Sequence, residues 1–202
     1  SRPAQMRAEY SGVPLRAIAQ LAKSWNFSEA SFGMAALNSY YATPSVAGEH
    51  GFALADAPWP HIFDPFRNAV AGKKVAVIGH FPFAPKALNQ AADFYMLERS
   101  LNEGDYPDSA AEYILPECDY VFITGSAFVN KTAPRLLELS RESFNVVLGP
   151  STPLAPVLLE DYGVSQVTGM VPTSPLAMFE GLSGTDAGTT MFEWGHRVEL
   201  FA

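Results

Sequence analysis

The chain is poor in the residues that build metal cages, disulfide frameworks and nucleic-acid clamps. Its 202 residues include one cysteine, Cys118. One thiol excludes an intrachain disulfide framework and any all-cysteine metal cage within one chain. The four histidines, His50, His61, His80 and His196, are scattered, with no Cys-x-x-Cys and no His-x-x-x-His, so no preformed metal site is expected. Lysine and arginine number 13 against 21 acids, for a net charge of −8 and no basic cluster. That balance argues against a nucleic-acid partner. No apolar run approaches the ~20 residues of a membrane span, and Ser1 to Gln5 carry no apolar signal-peptide core. A reducing cytoplasm fits these absences. Charged residues make up only 17% against 48% hydrophobic ones, the balance of a globular chain.

What is present is a repeated grammar. Three short apolar strands each end abruptly in small and polar residues: Val75–Ile78 before Gly79-His80-Phe81-Pro82-Phe83, Tyr120–Ile123 before Thr124-Gly125-Ser126, and Asn145–Leu148 before Gly149-Pro150-Ser151-Thr152. From Lys73 onward strands are expected at about 74–79, 93–98, 119–124, 144–149 and 164–168. Helices are expected at about 84–91, 108–115, 131–141, 153–161 and 174–181. Alternation at this spacing implies an α/β fold, a mostly parallel sheet with right-handed crossovers and helices on both faces. Arg197–Phe201 reads as a closing strand. Before this domain (71–202), residues 1–70 read as a helical appendage and linker. Helices are expected over 14–25 and, capped by Ser28, over 29–41. The proline-rich stretch 43–72 reads as linker with one turn of helix at Phe63–Val70. The small residues Ala30, Gly33, Ala35 and Ala36 would let another backbone approach closely, within the chain or in a homo-oligomer.

In an open parallel sheet, ligands bind along the rim formed by the carboxyl ends of the strands. After the first strand only Gly79 is present where dinucleotide enzymes carry several glycines. Phe81 and its neighbours fill that space, which suits a wall for a flat ligand or a plug in the core. His80 is a candidate acid or base, or a histidine bonded to a backbone carbonyl. Glu98 follows Gly79 by 19 positions, near the spacing at which an acid receives ribose hydroxyls. Thr124, Gly125, Ser126, Asn130 and Thr132 form the densest polar group, able to cap a helix and contact a ligand. Ser151 and Thr152 present hydroxyls one strand further on. Asn38 could reach the rim from the appendage. The cofactor is not identified by any of these residues, and no Gly-x-Ser-x-Gly nucleophile elbow exists.

Taken in order, Gly79-His80-Phe81-Pro82-Phe83, Glu98-Arg99, Ile123-Thr124-Gly125-Ser126 with Asn130-Lys131-Thr132, and Leu148-Gly149-Pro150-Ser151-Thr152-Pro153-Leu154 resemble the DUF364 proteins, labelled "putative heavy-metal chelation". Phe32-Gly33-Met34-Ala35-Ala36-Leu37-Asn38-Ser39 resembles the helix before that family's Rossmann-like half. The resemblance implies a Rossmann-like domain following an enolase N-terminal-like part. Members of the family usually begin with strands before these helices, whereas this chain begins almost at the helices. The expected ligand is a small planar metabolite, pterin-, flavin- or siderophore-like, or its metal chelate. The alternatives are an enzyme of nucleoside-cofactor or hydrolase and condensation type using the same cleft, and a non-catalytic assembly partner.

Overall fold

The structure, a computed structural model, describes residues 10–56, 58–59, 61–183 and 192–202. Helix α1 (Leu15–Ala19) runs into a 3-10 turn (Gln20–Lys23), and α2 (Phe27–Tyr41) and α3 (Pro44–Glu49) follow. Strand β1 (Ala53–Leu54), a 3-10 turn (Asp64–Phe66), β2 (Lys74–Ile78), α4 (Ala84–Ala87), β3 (Asp93–Glu98) and β4 (Tyr106–Pro107) come next. Then come α5 (Ala111–Ile114), β5 (Tyr120–Thr124), α6 (Ala133–Leu139), β6 (Phe144–Leu148), α7 (Val157–Glu160), β7 (Gln166–Pro172), α8 (Pro175–Leu182) and β8 (Gly195–Phe201).

The strands form one sheet of order β1-β8-β7-β6-β5-β2-β3-β4. Every neighbouring pair from β7 to β4 is parallel. At the other edge β8 runs antiparallel to β7, and β1 antiparallel to β8. The fold is thus the expected Rossmann-like α/β arrangement. The chain moves outward from β2 through β3 to β4, then crosses back past β2 to begin β5 on its other side. The strand order reverses between β2 and β5.

Side chains along β2 alternate between two cores, as a period of two requires. Ala76 and Ile78 join a cluster with Val121, Ile123, Val147, Leu136 and Leu158, which covers one face with α3, α5, α6 and α7. Val75 and Val77 join Phe122, Val146 and Leu148 on the other face, beneath α4 and the segment carrying Trp59, Ile62, Phe63, Phe66 and Val70. The stretch expected as linker therefore does structural duty: it covers one face of the sheet and adds β1 to its edge. Prolines hid this, because they suppress regular periodicity without preventing burial. Phe63 is fully buried and meets Phe81 and Phe122 edge to face, at ring-centre distances of 5.5 and 5.3 Å.

Among the described residues before Ala53 there is no strand; this front part is helical. Asn26, not Ser28, caps α2: its Oδ1 accepts from the Ser28 N–H at 3.0 Å. Gly33 is used inside the chain, since a Cβ there would lie 1.9 Å from the Ala22 nitrogen. The α7 helix starts at Val157 rather than Pro153, so Thr152 caps nothing. Pro156 accounts for the delay: it lacks the N–H that would bond back to the Thr152 carbonyl and disfavours helical geometry at Ala155, whereas Pro153 would be tolerated in a first turn.

Phe63→Ala is expected to destabilise the fold by about 3–5 kcal/mol, the range for truncating a buried aromatic ring. Denaturant unfolding measures it, and a loss below about 1 kcal/mol would contradict the assigned role of the 58–70 segment in the core.

Candidate functional site

Gly79 ends β2 with φ +104°, a left-handed conformation that favours glycine. A Cβ there would also crowd the Thr124 side chain at 3.1 Å. The ends of β2 and β5 are therefore in contact, and their loops leave the rim in different directions. Between them lies a cleft of about 90 Å³ lined by Gly79, Glu98, Arg99, Thr124, Ser126 and Asn130, with Ile78, Leu97 and Leu136 as its apolar floor. It sits at the topological switch point, the place where an open α/β sheet offers a crevice. Two roomier hollows, of about 300 and 370 Å³, lie at the β1–β8 end. The first is mostly apolar, with Thr173 and His196 as its polar residues. Neither gathers the ends of several parallel strands, so the smaller cleft is the better candidate.

Each polar group at the cleft is held by a local device. Thr124 caps the 3-10 turn Gly125–Phe128, its Oγ1 accepting from the Ser126 N–H, and lies 3.1 Å from the Ser126 hydroxyl. The Asn130 Oδ1 accepts from the Thr132 N–H at 3.1 Å and the Thr132 hydroxyl at 2.6 Å, so Asn130 braces the entry to α6 and, among the described residues, leaves its amide N–H₂ free. Glu98 accepts from the His80 N–H through Oε2 at 3.0 Å and from the Arg99 N–H through Oε1 at 2.6 Å. It ties the β2 turn to the end of β3 while lining the cleft. Arg99 donates to Asp108 at 2.9 Å across an exposed ion pair.

The other expected site residues stand behind or beside this group. Gly125 packs flat against the β6 loop, since a Cβ would lie 2.5 Å from the Thr152 nitrogen. Its role is close approach of two protein backbones. Thr152 is buried and its hydroxyl has no hydrogen-bond partner among the described residues. The Asn38 side chain donates to the Ser151 carbonyl at 2.8 Å and so seats α2 on the rim. Lys131 makes a second tie, donating to the Ala22 carbonyl. It does so from φ +67°, the one non-glycine residue with positive φ among those described. Phe81 does not line the cleft; its ring packs on Phe63 and Phe83 in the core of the opposite face.

His80 is outside the cleft lining as well, but it has a partner that spacing did not indicate. Its Nδ1 lies 3.0 and 3.1 Å from the two oxygens of Asp105, whose side chain is fully buried. Asp105 also accepts from the Asn102 N–H at 2.9 Å and the Asn102 amide at 3.2 Å. Burial pushes its carboxyl up. The Asn102 N–H, then the His80 and Asn102 side chains, outweigh that and hold it below the ordinary value. Asp105 lies in an irregular segment just before the two-residue β4, where no period marks it, and Asp108 opens a 3-10 turn (Asp108–Ala110) that leads into α5. Cys118 is no nucleophile: it is buried, and that burial pushes its thiol up to about 11. Among the described residues no group of three or more His, Cys, Asp or Glu could hold a metal. Among them, too, no helix is long and apolar enough to cross a membrane.

A mostly parallel sheet with a polar crevice at its point of reversal defines a Rossmann-like protein with a candidate site at the rim. The chain belongs to the DUF364 family, whose model, described as "Putative heavy-metal chelation", matches residues 61–199. A second model with the same description, DUF4213, matches residues 3–41. A DUF364 protein of unknown function from Desulfitobacterium hafniense is 43% identical and superposes with a TM-score of 0.87, covering 100% of this chain and 80% of its own. One from Pyrococcus horikoshii, 23% identical with a TM-score of 0.77, shares the fold over 93% of this chain and 75% of its own. An uncharacterized protein of Methanocaldococcus jannaschii is 26% identical over 156 residues, 73% of this chain. The chain spans 56% of the length of that curated relative.

The depressed Asp105 pKa makes a signed prediction. Its stabilising contribution is fully present above about pH 4, the unfolded carboxylate value, and is lost as pH falls through the lower folded value. Asp105→Asn should therefore be less stable than wild type at neutral pH. The gap should narrow in acid unfolding titrations below about pH 4. A gap constant from pH 7 to pH 2 would show that Asp105 is not held ionised.

Proposed function

We propose that the chain binds a small planar metabolite, or the metal chelate of such a metabolite, at the crevice between β2 and β5. The observation that carries this reading is the meeting of Gly79, Glu98 and the Ser126 and Asn130 side chains, from the ends of β2, β3 and β5, around an apolar floor. Apolar walls with a few convergent polar groups are the usual make-up of a small-molecule site. The described residues do not fit a bare resident metal, because they lack a ligand set. In this reading the metal of the family's description arrives as cargo with its own chelator.

The size of the cleft shapes the reading. Drug-sized ligands fill about 300–1,000 Å³. A cleft of about 90 Å³ takes one edge of a flat ring system, and the rest of the ligand lies over the rim. The free amide of Asn130 and the hydroxyl of Ser126 suit ring carbonyls and nitrogens. The remaining lone pairs of Glu98 suit ring N–H or hydroxyl donors.

Ser126→Ala is the cleanest test, because among the described residues that hydroxyl carries no structural bond beyond its contact with Thr124. Thermal shift and calorimetry with pterin, flavin and catecholate probes should show binding by wild type. The variant should bind about 3–10-fold more weakly, the loss of one hydrogen bond. Equal affinity of both proteins for every probe that binds would remove the cleft from consideration.

A further inference from the structure

We infer that a second hollow, at the rim of the sheet opposite the cleft, binds a small organic ammonium ion with a single-ring apolar body. This site is independent of the cleft and of what the cleft holds.

Strand register brings its walls together. Tyr120 opens β5, Phe144 opens β6 and Gln166 opens β7, so all three stand at the amino ends of parallel strands. Tyr120 is the register partner of Phe144, and Gln166 that of Phe201 on β8. Glu199, two positions before Phe201, shares its face. Phe66, from the 3-10 turn Asp64–Phe66, completes the enclosure. These residues line a hollow of about 220 Å³ in which Glu199 is the one charged side chain. The Tyr120 and Phe144 rings lie 5.3 Å apart and the Phe66 and Phe144 rings 6.3 Å apart. Phe144 and Phe201 are exposed and form the mouth.

The polar end of the hollow is short of donors. Gln166 is only 2% exposed. Its Nε2 donates to the Thr168 hydroxyl at 3.1 Å and to the Glu199 Oε2 at 3.2 Å, which uses both amide hydrogens. Its Oε1 has no hydrogen-bond partner among the described residues, an uncommon state for a buried acceptor. The Arg197 Nη2 stands 3.7 Å from the Glu199 Oε2, beyond hydrogen-bond length, and Arg197 is outside the lining. Among the described residues the second Glu199 oxygen accepts no hydrogen bond either. The open groups of Gln166 and Glu199 are therefore both acceptors, and the Tyr120 hydroxyl can accept as well.

These features select one chemistry. Open acceptors call for N–H or O–H donors, and a carboxylate bonds a charged donor more strongly than a neutral one. Aromatic faces attract cations. An anion would face the Glu199 carboxylate. The hollow is smaller than the 300–1,000 Å³ of drug-sized sites, so it takes one ring with a short arm.

Benzylamine and benzyl alcohol, close in size and shape, are the probes for the full chain, by calorimetry near neutral pH. Wild type is expected to bind benzylamine saturably and about 10-fold more tightly than benzyl alcohol, the advantage of a charged over a neutral donor. Glu199→Gln should remove that preference. Phe201→Ala, which trims an exposed wall, should weaken benzylamine about 3-fold. Ser126→Ala, in the cleft, should leave it unchanged. Failure of wild type to bind benzylamine would mean a hollow filled by water alone and would overturn the inference. So would equal affinity for the two probes, a preference kept by Glu199→Gln, or a loss in Ser126→Ala without one in Phe201→Ala. The wild-type comparison decides the matter even if the Glu199 variant fails to fold.

Discussion

The reversal of strand order between β2 and β5 is the constraint on which the site depends. Two neighbouring parallel strands whose connections lead to opposite sides of the sheet cannot close the space above their own ends. The chain fits this geometry with two glycines. Gly79 turns sharply out of β2 at φ +104°, and Gly125 lets the start of the β5 turn lie against the Thr152 backbone. Larger residues at either place would force the rim apart. Around that gap, Glu98 binds one loop to the next, so the polar lining is braced by the same bonds that shape the turn.

The sheet itself was largely legible in the residues. Apolar runs such as Val75–Ile78 and Tyr120–Ile123, each bounded by polar or glycine residues, announce strands buried on both faces. What escaped was structure without period. Ala53–Leu54 and Tyr106–Pro107 are strands of two residues, too short to show alternation. Trp59 and the Ile62–Val70 segment pack aromatic rings onto the sheet from a 3-10 turn and irregular backbone, so the one turn of helix expected at Phe63–Val70 gave no sign of the burial around it. The helix expected from residue 153 begins only at Val157, and Thr152, expected to present its hydroxyl at the rim, is buried instead.

The candidate site was legible as a place more than as a set of roles. Glu98, Ser126 and Asn130 do meet, because strand ends of a parallel sheet share one rim. Phe81 follows the same strand end yet turns into the core, where Phe63, hidden in the proline-rich stretch, receives it. Asn38 and Lys131 seat the helical front part on the rim through carbonyls of distant segments, contacts that no local spacing encodes. Asp105 was invisible for a related reason: its meaning comes from His80, 25 positions away, and from nothing in its own neighbourhood.

Cys118 bears on which metals such a protein could distinguish. Thiolates are what draw soft ions such as copper(I) to a polypeptide, and the chain's one thiol is buried and kept protonated at neutral pH. In the proposed reading the folded chain offers a cargo metal no thiolate. Preference for one element over another is then delegated to the organic chelator, and the protein discriminates by the outline of that molecule.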